Sequence, residues 1–148
     1  MLTIDLNKLN IADGSKILDL GCGKGRHIHK LYYYSKCHVI GIDLSVKELE
    51  HTYRGFQQYP DIDKLKERKF SLMAANALQL PFKDNTFDHI ICSEVLEHIY
   101  DYESVINEIF RISKPGASVG ISVPRWLPEK ICWYLSDDSV SYTHLRAH

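Results

Sequence analysis

Short apolar runs alternate along this chain with longer stretches in which apolar residues recur every three or four positions. The short runs are Lys16–Leu20 (KILDL), His38–Asp43 (HVIGID), residues 70–75, residues 87–92 (FDHIIC) and residues 118–123 (SVGISV). Their length and their content of Ile, Val and Leu predict strands buried on both faces. Residues 24–35 and 46–58 read as helices, the second with Ser45 as its N-cap, where a serine oxygen accepts a free N–H of the first turn. Tyr102–Ile112 sets Val105, Ile106, Ile109 and Ile112 along one stripe, as a helix packed on a core does. Lys114-Pro115-Gly116 is a turn signal ahead of the fifth strand. Strands alternating with helices imply an α/β fold with a parallel sheet and right-handed crossovers.

Composition narrows the classes. The chain has 148 residues, of which 45% are hydrophobic and 25% charged, which suits one globular domain. Lys and Arg total 18 against 19 for Asp and Glu, so no basic surface for a nucleic-acid partner is expected. No apolar run approaches the roughly 18 residues of a membrane span, and MLTIDLNKLN lacks the basic and apolar blocks of a secretory signal. Cys22, Cys37, Cys92 and Cys132 are scattered, without a CxxC pair, which fits reduced thiols and a cytoplasmic location. Residues 139–148 are set apart: VSYTHLRAH (140–148) continues no apolar period and resembles the translation of a transposon mosaic-end adaptor used in sequencing libraries. The domain is therefore expected to occupy residues 1–138, and His144 and His148 are not counted as ligands.

The densest chemistry lies where strands end, the place where open α/β sheets bind ligands. After the first strand comes Asp19-Leu20-Gly21-Cys22-Gly23-Lys24-Gly25. Gly21, Cys22, Gly23 and Gly25 make a tight turn that brings backbone N–H groups close to a ligand, so they are candidate cofactor contacts. Asp19 offers a carboxylate to a cationic amine. A dinucleotide fingerprint requires a small residue where Arg26 stands, which disfavours an NAD-dependent oxidoreductase. The second strand ends in Asp43, placed to accept both hydroxyls of a ribose.

These segments together carry a resemblance. ILDLGCGKGRH (17–27), GIDLS (41–45), ANALQLPFKDNTFDHIICSEVLEHI (75–99) and RISKPGASVGISVP (111–124) resemble the class I S-adenosylmethionine-dependent methyltransferases, in particular the ubiquinone/menaquinone-biosynthesis-like small-molecule group. The resemblance implies a Rossmann-like sheet in the order 3-2-1-4-5-7-6. The five strands read here are the first five, and the last two are expected to be missing. Strand five would then be an open edge prone to self-association. The resemblance also implies S-adenosyl-L-methionine as cofactor. Asp19, Gly21 and Gly23 would surround its methionine part, with Ser93 on the floor. Asp43 would hold the ribose, Leu44 would pack on adenine, and Asn76 and Ala77 would stand at the adenine edge. Relatives carry Asp where this chain has Asn76, an amide that both donates and accepts.

Methyl transfer mainly asks a protein to align donor and acceptor and exclude water, with a base only where the acceptor loses a proton. If EVLEH (94–98) is helical, Glu94, Glu97 and His98 share a face, and His98 is the natural base near neutral pH. That spacing also resembles metal-assisted O-methyltransferases, yet no further ligand follows before the tail, so no metal is assigned. Equally, Glu97 and His98 would flank the next helix and shape the pocket. His27 and His29 lie on the helix after the glycine loop, where His27 could face the cofactor but reads as exposed; His38, His51 and His89 have no partner spacing and read as strand-edge or helix-surface residues. The reading is methyl transfer to a small-molecule acceptor, with an inactive cofactor-binding fragment as the alternative.

Overall fold

The computed structural model describes residues 4–59, 67–124 and 142–147, the last as backbone. Its strands are β1 (Lys16–Leu20), β2 (His38–Asp43), β3 (Lys69–Ala74), β4 (Phe87–Ser93), β5 (Ser113–Val123) and β6 (Tyr142–Ala147). They form one parallel sheet in the order β3-β2-β1-β4-β5-β6. The first five follow the expected 3-2-1-4-5 order. The helices are α1 (Arg26–Tyr34), α2 (Val46–Gln57) and α3 (Tyr102–Ile112).

Both faces of the sheet are covered, which explains why its strands read as unbroken apolar runs. On one face Leu18, Leu20, Ile42 and Ile90 pack with Val105, Ile106, Ile109 and Ile112 of α3. On the other, Ile17, Val39 and Ile91 meet Ile28 and Leu31 of α1 and Leu49 and Phe56 of α2. Phe56 stacks on Phe70 at 3.9 Å and so holds β3 against α2. Burying each such side chain contributes about 1.5–3 kcal/mol.

Strand register positions the site. Leu20 lies opposite Ile42 and Cys92, and Asp43 opposite Ala74. The residues that follow (Gly21, Leu44, Ala75, Ser93) therefore emerge along one carboxyl edge. Ser45 caps α2 as expected, its Oγ accepting from the Glu48 N–H at 3.3 Å.

Three expectations change. EVLEH is not an α-helix: only Leu96–His98 forms a 3₁₀ turn, and Glu94 takes a left-handed backbone with φ of 57°. The reason is local, because Asp101 starts α3 afresh by accepting from the Ser104 N–H and hydroxyl at 3.2 and 2.6 Å. The Lys114-Pro115-Gly116 turn is a bulge inside β5, where the pairing jumps from Phe87 with Ser113 to His89 with Ser118. Finally, β5 is not an open edge, since β6 from the set-apart tail pairs along Val119–Val123. An unpaired edge takes the strand within reach, and here that strand is in the same chain.

Candidate cofactor and active site

The glycine loop is fastened on three sides. Its Gly21 and Cys22 N–H groups both donate to the Ile42 carbonyl, at 2.8 and 2.9 Å. Gly21 has φ of +71°, and a Cβ there would collide with the Val95 side chain, so only glycine lets this loop approach the one after β4. From α2, the Thr52 hydroxyl donates to the Gly23 carbonyl at 2.6 Å. The Thr52 carbonyl in turn lies 2.8 Å from His29 Nε2. The His29 ring fills the space beside Gly25 and Gly55, where any side chain would clash with it. Gly25 thus serves the α1–α2 contact, and it does not line the cavity described next.

A cavity of about 870 Å³ runs over the carboxyl ends of β1 to β4, large enough for a nucleoside-sized ligand. Asp43, the last residue of β2, lines it. One carboxylate oxygen accepts from the Gly23 N–H at 2.9 Å and the other from the Ser45 N–H at 2.8 Å. Each oxygen keeps a lone pair, so the carboxylate is oriented to receive a vicinal diol. Toward β3 the cavity is bounded by Leu44, 77% exposed, and by Asn76, Ala77 and Leu78. The Asn76 Oδ1 already accepts from the Leu78 N–H at 2.9 Å, which leaves its NH₂ as the polar group for a ligand. The loop that carries Asn76 is steadied by Arg111, which donates to the carbonyls of Leu80 and Phe82 at 3.0 and 2.7 Å.

Toward β4 the walls are Ser93, Glu94, Val95, His98, Ile99 and Tyr100. Glu94 pairs at 2.8 Å with Arg26, the first residue of α1, and both line the cavity. Of the three residues expected to share a face, Glu94 and His98 line the cavity and Glu97 does not. The 3₁₀ turn directs Glu97 inward, where, after burial itself, its charge helps to raise the pKa of the buried Cys92 thiol.

Asp19 is placed differently from the expectation. It is only 1% exposed and lies behind the cavity wall, so its carboxyl is not presented to a ligand amine. Burial pushes its pKa up to about 7, opposed by a backbone hydrogen bond from Ile28 at the start of α1. His27, expected to be exposed, is 4% exposed and lines the cavity; burial, then the neighbouring Arg26, lower its pKa to about 4. A signal was available, since His27 precedes Leu31 by four positions and shares its inward face. His89 is buried in the central β4 opposite Ile17, not at an edge. Cys22 lines the cavity with its thiol pKa raised by burial, which makes it a poor nucleophile. Among the described residues no group of three His, Cys, Asp or Glu side chains is arranged to hold a metal ion. No described helix is long and apolar enough to cross a membrane.

Comparison with known proteins places this arrangement. A family described as a methyltransferase domain matches residues 11–141, and the chain belongs to it. S-adenosyl-L-methionine is the cofactor that goes with this membership. The chain is 31% identical over 115 residues to a sterol 24-C-methyltransferase of Aspergillus fumigatus, covering 78% of this chain and 29% of that protein. It is 32% identical over 117 residues to a demethylmenaquinone methyltransferase of Anoxybacillus flavithermus, covering 77% and 46%. Among solved structures, an S-adenosylmethionine-dependent methyltransferase of Methanosarcina mazei superposes with a TM-score of 0.64 at 28% identity, covering 72% of this chain and 51% of that one. The [4+2]-cyclase SpnF superposes at 0.69 with 24% identity, covering 78% and 40%, and shares the fold. The chain spans about three tenths of the length of the sterol methyltransferases it matches.

Proposed function

We propose that this protein transfers a methyl group from S-adenosyl-L-methionine to a small-molecule acceptor. The observation that carries the reading is Asp43, whose two oxygens are aimed by backbone N–H groups and left with lone pairs beside the wall formed by Leu44, Asn76, Ala77 and Leu78. Leu44 and Leu78 would flank the base, Asn76 and Ala77 would meet its edge, and Gly21, Cys22, Gly23 and Ser93 would bound the methionine part. When bound, the cofactor supplies a methyl group already activated on a sulfonium, for in-line displacement. His98, on the exposed side of the cavity, is the proposed proton acceptor for an acceptor that must lose one. Glu94 is engaged with Arg26 and Glu97 faces inward, which leaves His98 as the group of the three best placed for that role. The sterol and quinone acceptors named for the relatives support a small organic acceptor here, in a cytoplasmic enzyme.

Calorimetric titration of the full chain with S-adenosylhomocysteine and with NADH tests the reading. Saturable binding of the first alone is expected, and binding of NADH alone overturns it. A second reading, cofactor binding without methyl transfer, draws on the fold shared with a cyclase. It is favoured if S-adenosylhomocysteine binds and no acceptor is turned over.

We propose also that residues 139–148 are an appended tail and that the native domain continues past Asp138 into two further strands. The chain's short span of its relatives supports this. The intact gene tests it: strand patterns beyond Asp138 are expected, and a stop codon after His148 contradicts it.

A further inference from the structure

β3 stands at one end of the strand order, and among the described residues no strand pairs with its outer side. The Lys69 N–H donates to the Cys37 carbonyl and the Ala75 N–H to the Asp43 carbonyl, each at 3.1 Å. In a parallel ladder alternate residues bond to the same neighbour, so Phe70, Leu72 and Ala74 turn their N–H and C=O groups outward. Natural edges are blunted by proline, bulges or charges that point inward. β3 (KFSLMA) runs in unbroken register with β2, has no proline, and carries its one charge, Lys69, at its first position.

Beside this edge lies an apolar groove of about 270 Å³, lined by Val46, Leu49, Glu50, Tyr53 and Arg54 of α2 and by Leu72 of β3. Val46, Glu50, Tyr53 and Arg54 recur at i, i+4, i+7 and i+8, which makes them one stripe of the helix. Val46 and Tyr53 are 59% and 51% exposed, and apolar surface of that kind beside an unpaired strand marks a contact surface. We propose that β3 pairs antiparallel with β3 of a second copy of this chain, about a two-fold axis at Leu72.

Symmetry, backbone and charge all select that occupant. A two-fold axis normal to the sheet sets two copies of one edge antiparallel and keeps both α2 helices on the same face. With the axis at Leu72, that residue pairs with its own copy and Phe70 pairs with Ala74, so every outward donor and acceptor of β3 meets a partner. The two grooves then close on each other, and Val46, Tyr53 and Leu72 of both copies leave water. The stripe also carries one carboxylate and one guanidinium a turn apart, Glu50 and Arg54. Antiparallel α2 helices reverse that order, so Glu50 of one copy comes to Arg54 of the other. Such self-complementary charge is supplied by a second copy of the same face.

Sedimentation equilibrium of the full chain tests this, with Glu50→Arg, Arg54→Glu and an equimolar mixture of the two. The wild type is expected to be mostly dimeric at about 100 µM. Each variant alone sets like charges face to face and is expected to weaken the dimer about tenfold or more. The mixture pairs an all-basic stripe with an all-acidic one and is expected to dimerise within about threefold of the wild type. Charges within one chain cannot produce that recovery, because mixing leaves each chain as it was. Hydrogen exchange locates the contact: the Phe70, Leu72 and Ala74 amides should be slow in the wild type and fast in either variant alone. The wild-type exchange stands as a test even if a variant fails to fold, which thermal melting reads. The proposal is overturned by a wild type that is monomeric at that concentration, or by variants that dimerise as tightly as it does. A mixture of folded variants that stays monomeric, or a wild-type dimer whose three amides exchange freely, also overturns it.

Discussion

The β2–β3 end of the cavity and its β4 end are built on different principles. At the first, the polar groups are strand-end residues fixed by the backbone: Asp43 is held by two main-chain N–H groups and Asn76 by one. At the second, a 3₁₀ turn and a left-handed residue present Glu94 and His98, and the contact that orders Glu94 comes from a residue 68 positions away. One end is rigid because sheet register dictates it. The other depends on side chains meeting across a cleft, and chemistry that varies with the acceptor belongs at such a place.

The sharpest way to break the contrast is to disturb the point where the two ends touch. Gly21→Ala forces a Cβ into Val95 at a positive φ, and is expected to abolish S-adenosylhomocysteine binding and to destabilise the fold by about 1–3 kcal/mol. Adding Val95→Ala relieves the collision and should recover part of the binding, read by calorimetry alongside thermal melting.

His98→Ala tests the β4 end alone. It should leave cofactor affinity within about twofold while lowering turnover by roughly 10²-fold, measured as S-adenosylhomocysteine released with any acceptor the wild type uses. Equal loss of binding and turnover would move His98 to the cofactor.

Two buried groups tie the loop's stability to pH with opposite signs. Asp19 has its pKa raised from 3.8 to about 7, so the folded state holds a proton that the unfolded chain has lost, and its contribution falls as pH rises across that window. His27 has its pKa lowered from 6.5 to about 4, so its contribution falls as pH drops from 6.5 toward 4. Their sizes are roughly 4 and 3 kcal/mol at most, and they largely offset. Relative to wild type, Asp19→Asn should gain stability from pH 4 to 7 and then level off. His27→Gln should show the reverse trend, gaining as the pH drops below 6.5. Chemical denaturation at several pH values reads both, and parallel curves for either variant and wild type would remove that group from the account.

The smallest effect is expected at Thr52. Thr52→Val removes the hydroxyl bond to Gly23, which should cost about 1 kcal/mol and weaken the cofactor severalfold, while Thr52→Ser restores both. An unaffected valine variant would show that α2 does not hold the loop.

The same contrast explains what could be read from the residues. Strands buried on both faces are continuous apolar runs, so β1, β2 and β4 were legible almost to the residue, and with them the positions of Gly21, Asp43 and Ser93. Ser45 and the α3 stripe were legible because caps and helical periods are local signals. The Arg26–Glu94 contact was not, because nothing local joins two residues on separate loops. The shared face of Glu94, Glu97 and His98 depended on EVLEH being helical; its spacing allows a helix, whereas Asp101 restarts the chain as a separate one. Asp19 was placed in the site on its motif position, although strand alternation puts its side chain with Ile17 on the face beneath α1. The pairing of β6 with β5 was not foreseen, since the tail shows no strand pattern of its own.

In the proposed function the strand-end carboxylate of Asp43 anchors a nucleoside cofactor. Calorimetric titration of S-adenosylhomocysteine into the wild-type chain and into Asp43→Ala tests it most directly. Saturable binding to the wild type and none detectable in the variant is the predicted result; equal affinity in the two chains would contradict it.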